Sequence, residues 1–589
     1  MNILTKSLTH TVDFLKRHYF LSLTALWLIL AVVYVWPFAS TRYLFSGVDL
    51  TFHVQRISEL THNFEHGSFI PYISTYAFNK VGSGVFMFYP WITFVPFALL
   101  NMFVYSPVLA IYVGIILETF LTFVIAYYAM HQFTGSKMQA VLFAIIYGFA
   151  PFRLHDTING FVMGEALAMI FMPLAFIGFY FVFFGDHKRW PIFSLGMTLL
   201  LFSHVLGTLL ACITFIVILL FTVWKTDHLG KRLLAALKAV ALTAGMGAIY
   251  YWPFLEQMLG GNISASGTGL GGALNTADLI NNSLNNTDVS YGPFVLIILL
   301  LGLVFWGKFN AREHTVYVIA MTLTVLLTNL IPWQNMIKSW VNNLQYVFRI
   351  FMISDVFVAA FAAMFLYHVI QHRSPKSRRT YFIMFALIPV ALLTSMSVQT
   401  VKNNKHQILL NYWPSKKYLI PFSPSQLQSY KVDGRTYHFQ TGRYAHYGAM
   451  DYFTIKSRPH WQNIIDRQAI VNGKKQSLSH HLSSKPNQLI YQIHTTQKHS
   501  SVDLPTIPYK NEVVKVNHHV VKPTISNRGT YNVRTSQRQN LITVTYVPSL
   551  IDRLSIWVSA ASWLLLFVLL FLQYRHSTIK QRGAHARKR

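Results

Sequence analysis

One short stretch, Gly47-Val48-Asp49-Leu50-Thr51-Phe52-His53-Val54-Gln55-Arg56, sets a carboxylate, an imidazole and a guanidinium close together just after a long apolar run. If 49–56 is helical, Asp49, His53 and Arg56 stand at i, i+4 and i+7 on one face. A carboxylate there can take a proton from an attacking hydroxyl. It is also an ordinary helix N-terminal cap. A second stretch, Pro151-Phe152-Arg153-Leu154-His155-Asp156 through Glu165, adds Arg153, Asp156 and Glu165. Glu165 enters an apolar run, where an unpaired carboxylate is costly. It either pairs structurally, for example with Arg153, or shares a polar site with Asp49. His204, Glu256 and Arg349 complete the set. His204 is equally readable as a satisfied structural histidine, and Glu256 as an interfacial acid. Arg349 opens an apolar run, where it either binds a lipid-linked phosphate through a charge-assisted fork or anchors to headgroups.

The elements that must position these residues are membrane spans. The chain has 589 residues, 53% hydrophobic and only 12% charged, and its apolar residues gather in runs near twenty long. That length crosses a hydrocarbon core of about 30 Å. Ionisable groups beside such runs are expensive, which makes each one a candidate. The one cysteine, Cys212, lies in an apolar run, so neither a disulfide framework nor a cysteine metal site is expected. The net charge of +29 comes with no nucleic-acid motif. It fits basic cytoplasmic loops and a basic exterior facing anionic lipid or polymer. Lys6, Lys16 and Arg17 precede the first apolar run, which reads as an uncleaved signal anchor.

Basic loops set the orientation. Spans are expected at about 19–39, 107–131, 138–152, 163–184, 191–206, 208–224, 234–252, 292–307, 315–332, 349–370, 380–397 and 555–573, about twelve in all. Residues 86–105 are apolar but interrupted by Pro90 and Pro96. Counting them as a span would move the basic loops outside, so they are read as non-spanning. The 191–224 run should be a tight hairpin turning near Ser203-His204. Both termini then fall inside, and every candidate above falls on the outer face. The expected architecture is an all-α polytopic domain over 1–397, with outer loops 40–106 and 253–291. A basic β-rich extracytoplasmic domain over 398–548 follows. The last helix and a basic cytoplasmic tail occupy 549–589. The β reading rests on alternation such as Gln488-Leu489-Ile490-Tyr491-Gln492-Ile493.

Taken together, Gly47-Val48-Asp49-x-x-x-His53, Pro151-Phe152-Arg153 to Glu165, Ser203-His204, Trp252-Pro253-Phe254-Leu255-Glu256 and Gln345-Tyr346-x-Phe348-Arg349 share an order and a membrane side. In this the chain resembles GT-C-type integral membrane glycosyltransferases. It looks most like a bacterial branch whose members carry the label 6-pyruvoyl-tetrahydropterin synthase-related. No His cluster with zinc-ligand spacing supports pterin chemistry. The resemblance covers roughly residues 1–400. It implies a polyprenyl-phosphate-linked sugar donor, inverting transfer, and a site on the outer face of a bacterial cytoplasmic membrane. Asp49 would be the general base or would orient the acceptor. Arg153 and Arg349 would hold the phosphate. Glu165, Asp156 or His53 would orient Asp49, or a divalent metal where one is used; without a clear Asp-x-Asp pair, no metal ligands are assigned. His53, Arg56, His204 and Glu256 are candidate substrate-binding groups. The basic outer domain suits an anionic cell-envelope polymer or a glycolipid as acceptor. Two other readings stand beside this one: a transporter or flippase of lipid-linked glycans, and a non-catalytic scaffold for cell-wall assembly. A transporter should carry charges near mid-membrane and often shows repeated halves.

Overall fold

The computed structural model describes residues 18–45, 48–260, 263–264, 270–336, 340–410, 431–434, 437–441, 448, 450–478 and 481–586. Lys6, Lys16, Arg17 and Gly47 lie outside these residues. The chain is mostly helical, with a β-rich C-terminal part before its last helix.

The first helix, α1 (Tyr19–Ala39), leads to the outer-loop helix α2 (Leu50–Glu65). The disputed 86–105 segment follows. It breaks into Val85–Phe88, Ile92–Phe94 and α3 (Val95–Phe103), with extended backbone at Tyr89 between the first two. None of these pieces is long enough to cross. Next comes α4 (Pro107–Thr134), capped by the Ser106 hydroxyl and ended by Gly135 in the left-handed region. Ser136 caps α5 (Lys137–Gly148) in the same way. Pro151 starts a short continuation that ends in a π-turn, His155–Asn159, and the two pieces are bent by 46°. Such π-turns recur at functional sites.

The rest of the bundle is α6 (Met163–Phe183), α7 (Trp190–Ser203), α8 (Val205–Thr222), α9 (Leu229–Gly260), α10 (Gly292–Val304), α11 (Ala311–Leu326), α12 (Phe351–Gln371), α13 (Pro375–Leu410) and α14 (Leu550–Ala586). The α7–α8 hairpin turns at His204, whose backbone is extended. Among the described residues eight helices are long and apolar enough to cross a membrane, or nine if α5 and its bent continuation form one span. The sequence led us to expect about twelve. The shortfall lies in α7, α10 and α11, of 14, 13 and 16 residues. At 1.5 Å per residue they reach about 20–24 Å, short of a hydrocarbon core near 30 Å. Helix α13 also runs past position 397, where a span was expected to end, because no Gly or Pro interrupts Val398–Leu410.

The β-rich part holds two five-stranded antiparallel sheets. One orders β10 (Thr524–Ile525), β11 (Tyr531–Arg534), β7 (Ser501–Asp503), β3 (Gln468–Val471) and β4 (Lys474–Ser477). The other orders β5 (Leu482–Lys485), β6 (Gln488–His494), β12 (Gln539–Tyr546), β8 (Glu512–Val516) and β9 (His519–Val521). Alternation puts Leu489, Tyr491 and Ile493 of β6 into a core with Ile542 and Val544 of β12. A two-residue ladder ties this part to the first outer loop: Leu44–Phe45 (β1) pairs with Lys431–Val432 (β2).

Further bonds fix the docking. The Thr51 hydroxyl donates to Gln440 Oε1 at 2.6 Å. Tyr72 stacks on Tyr546 at 4.5 Å. The buried Glu59 carboxylate accepts from the backbone N–H groups of Thr75, Tyr76 and Ala77 and from the Ser74 hydroxyl. That shapes the 74–77 loop, whose Thr75 hydroxyl donates to the Lys485 carbonyl.

Candidate active site

Asp49 sits at the N-terminus of α2, but its side chain does not cap the helix. Its backbone N–H donates to the Gly160 carbonyl at 3.0 Å. This bond staples the first outer loop to the π-turn and so sets Asp49 near Asp156. Asp156 is buried, and neither of its carboxylate oxygens has a hydrogen-bond partner. The carboxylates of Glu165, Asp355 and Asp49 and the guanidinium of Arg349 all lie within electrostatic reach of it. Glu165, in the first turn of α6, accepts from Arg349 Nε through Oε1 at 2.7 Å, while its Oε2 has no partner. Arg349 Nη1 donates to the Leu344 carbonyl at 2.9 Å and to Gln345 Oε1 at 2.7 Å. Asp49, Asp156, Glu165 and Arg349 thus converge from four separate segments.

His204 is at the edge of this cluster. Its Nδ1 accepts from the Gly207 N–H at 3.1 Å, so the neutral ring carries its proton on Nε2. Glu165 and Arg349 are within electrostatic reach, and the Tyr89 ring is 6.2 Å away. Several buried acids around one guanidinium would be costly as mere structure, and such clusters mark functional sites.

Other expected members are placed elsewhere. Arg153 does not pair with Glu165. It is fully buried against α4, with Nη2 3.3 Å from Glu118 Oε1, so it does not hold a phosphate in this arrangement. His53 and Arg56 face the 86–105 segment instead of the acids. The Arg56 guanidinium lies 4.3 Å from the Tyr89 ring centroid and 4.1 Å from that of Phe94, and it donates to the Pro90 carbonyl. Its Nη1 is 3.2 Å from His53 Nδ1. Burial, with the neighbouring Arg56 charge adding to it, holds His53 well below the usual imidazole range, so it is neutral. Arg56 thus fixes the Pro90 carbonyl, while His53 stacks on Phe94 at 5.3 Å with its Nε2 left without a hydrogen bond. Glu256 joins the docking surface: it accepts from the Ser549 hydroxyl at 2.8 Å and lies 3.6 Å from Lys510 Nζ.

Three acids join the picture that the sequence reading passed over. Asp355 on α12 is buried near Asp156, with Oδ2 unpartnered. Its signal was available, an acid in an apolar run six residues after Arg349. Asp288 accepts from Asn159 Nδ2 at 3.0 Å and lies 3.0 Å from His155 Nδ1, bracing the π-turn. Asp451 comes from the chain after α13. Burial pushes its carboxyl up to about 7, with the Asp49 charge raising it further and Arg458 opposing. Beside it, Tyr452 stacks on Phe88 at 5.4 Å. Nothing in the local sequence pattern marks Asp451.

Among the described residues no three His, Cys, Asp or Glu side chains are arranged to hold a metal ion. Arg349 engages one oxygen of Glu165, and the loop staple uses only the Asp49 backbone N–H.

Below the acids lies an apolar cavity of about 360 Å³ between α4, α6, α8, α11 and α12. Phe133, Phe176, Phe179 and Phe357 line it, and Arg312 stands at its far end. Its wall residues Pro173 and Val356 follow Glu165 and Arg349 along their helices by roughly 10–12 Å. The carboxylates and guanidinium thus stand at one end of the bundle, with an apolar cavity further along it.

No curated protein matches the chain. Solved structures similar to it include the apo Archaeoglobus fulgidus oligosaccharyltransferase, at 13% identity and a TM-score of 0.41, covering 78% of this chain and 70% of that one. ArnT from Cupriavidus metallidurans bound to undecaprenyl phosphate is another, at 9% identity and a TM-score of 0.36, covering 72% and 76%. Residues 86–403 match the model of the 6-pyruvoyl-tetrahydropterin synthase related domain, described as a membrane protein. The match spans more than half of the sequence, and the chain belongs to that membrane-protein family.

Proposed function

We propose that the chain is an inverting glycosyltransferase of the GT-C type. It takes a sugar from a polyprenyl-phosphate-linked donor and passes it to a cell-envelope acceptor on the membrane face that carries the β-rich part. The observation that carries this reading is the convergence of Asp49, Asp156, Glu165 and Arg349 at one end of the bundle, above the apolar cavity.

The prenyl chain occupies the cavity and leaves its phosphate at Arg349. Among the described residues Arg349 Nη2 makes no hydrogen bond, so it is available for a phosphate oxygen. The acceptor hydroxyl attacks the anomeric carbon. Asp49 takes the hydroxyl proton, the bond from carbon to phosphate oxygen breaks, and the charge that develops on the leaving phosphate is stabilised by Arg349. Glu165 fixes the guanidinium. Asp156 keeps the pocket polar beside Asp49, and Asp451 closes it from the β-rich side. The acceptor class follows from charge: Lys474, Lys475, Lys510, Lys515 and Lys522 make the β-rich part basic, which favours an anionic polymer or glycolipid.

The test is transfer from a short-chain polyprenyl-phosphate sugar in proteoliposomes. Asp49→Asn is expected to lower turnover by about a hundredfold or more, the range for loss of a general base. Full turnover by a stably folded Asp49→Asn protein would remove Asp49 from the chemistry. Analysis of envelope polymers from a deletion strain would identify the sugar, and an unchanged polymer profile would count against transfer altogether.

A further inference from the structure

A second cavity, of about 240 Å³, lies far from the acids. It is lined by His187, Lys188, Trp190, Lys231, Leu234, Ala235 and Lys238. Helix α9 runs from this cavity at Lys231 to Glu256 at the β-rich part, roughly 38 Å away, so the cavity opens at the opposite membrane face. Three ammonium groups share it, and no acid lines it. One acid beside it in the chain, Asp186, caps a backbone N–H. Its Oδ1 accepts from the Lys188 backbone N–H at 3.1 Å. Among the described residues none of these lysines makes an ion pair.

Ordinary positive charge on a loop would sit in water. These lysines instead flank apolar surface that faces lipid: Leu233, Leu234 and Leu237 of α9 are all more than half exposed. Lys231 and Lys238 are seven residues apart on one helix face, so the charge extends about 10 Å along the axis. Trp190 adds an amphipathic ring of the kind found at the headgroup level. The cavity floor is fixed, since the Gln573 side chain of α14 donates to the Lys188 carbonyl at 2.7 Å.

We propose that this cavity is a binding site for an anionic phospholipid, with the phosphate among Lys188, Lys231 and Lys238 and the acyl chains along the leucines of α9. Basic pockets between transmembrane helices hold anionic headgroups in this way. The site is independent of the transfer chemistry and stands if that chemistry fails.

The test uses the full chain in detergent, delipidated and offered phosphatidylglycerol or phosphatidylcholine, with retained lipid read by native mass spectrometry. The parent retains phosphatidylglycerol and not phosphatidylcholine. Lys231→Gln with Lys238→Gln lowers phosphatidylglycerol retention about thirtyfold, the fold-change given by about 1 kcal/mol for each of the two basic groups near an anionic headgroup. Lys376→Gln with Arg379→Gln, on another basic loop, leaves retention unchanged, and Lys231→Arg with Lys238→Arg preserves it if the glutamine pair folds poorly. Retention that survives loss of both charges overturns the site. Equal retention of phosphatidylcholine does the same. Displacement of the lipid by inorganic phosphate would also overturn it, by making the cavity a soluble-anion site.

Discussion

Single residues divide here into those that pair and those that burial keeps protonated. Glu165 and Arg349 pair at 2.7 Å with Glu165 almost wholly buried. Removing one partner strands the other charge, which costs about 3–5 kcal/mol. Arg349→Gln should therefore lower the melting temperature clearly. Arg349→Gln with Glu165→Gln should recover most of that loss while transfer stays abolished, as thermal scans and the proteoliposome assay would show. Asp451 offers a pH test. Its folded carboxyl titrates near 7, against an ordinary value of 3.8. Between about pH 4 and pH 7 the folded chain binds a proton that the unfolded chain has released, so this group's contribution to stability falls as pH rises through that window. The melting-temperature advantage of Asp451→Asn over the parent should be small at pH 5 and grow by pH 8.

Elements decide where those residues go. The first turn of α6 presses on Tyr89: a Cβ at Gly164 would fall 2.1 Å from the Tyr89 hydroxyl. Gly164→Ala should displace Tyr89 and Glu165 together and lower transfer, and Tyr89→Phe in the same chain should restore part of it. Glu59 is the organiser of the 74–77 loop. Glu59→Ala leaves three backbone donors of a buried loop unsatisfied, at about 1–3 kcal/mol each. Limited proteolysis should then cut near 70–80 while the parent resists.

Some of this was legible in the sequence. Asp49, Asp156, Glu165 and Arg349 stood out because charge beside apolar runs is rare. Arg153 was misassigned because its partner, Glu118, lies in another helix, and sequence spacing carries no information about pairing between helices. The same holds for Asp451, whose closeness to Asp49 depends on docking. Span boundaries blurred where α7, α10 and α11 are short, since hydropathy shows apolar character more clearly than length.

At the scale of the whole molecule, membership of a membrane-protein family agrees with the apolar helices, and sidedness becomes the measurable quantity. In a Cys212→Ala background, Asp278→Cys and Lys474→Cys should label from one side of the membrane, and Lys188→Cys and Lys376→Cys from the other. Labelling of positions 278 and 474 from opposite sides would break the crossing order on which the shared site depends.

The bond from Thr51 to Gln440 joins residues 389 positions apart in the chain. At roughly 5–20 residues per second of synthesis, α2 is made on the order of half a minute before the segment that covers it exists. During that interval the first outer loop stands without its β-rich cover, and Asp49 has no Asp451 opposite it. A nascent or truncated chain ending near the end of α13 would already carry Asp49, Asp156, Glu165 and Arg349 and the apolar cavity, but no roof. It could draw in lipid before it could exclude water. Completion of translation is thus a built-in delay between forming the acid cluster with its apolar cavity and covering them.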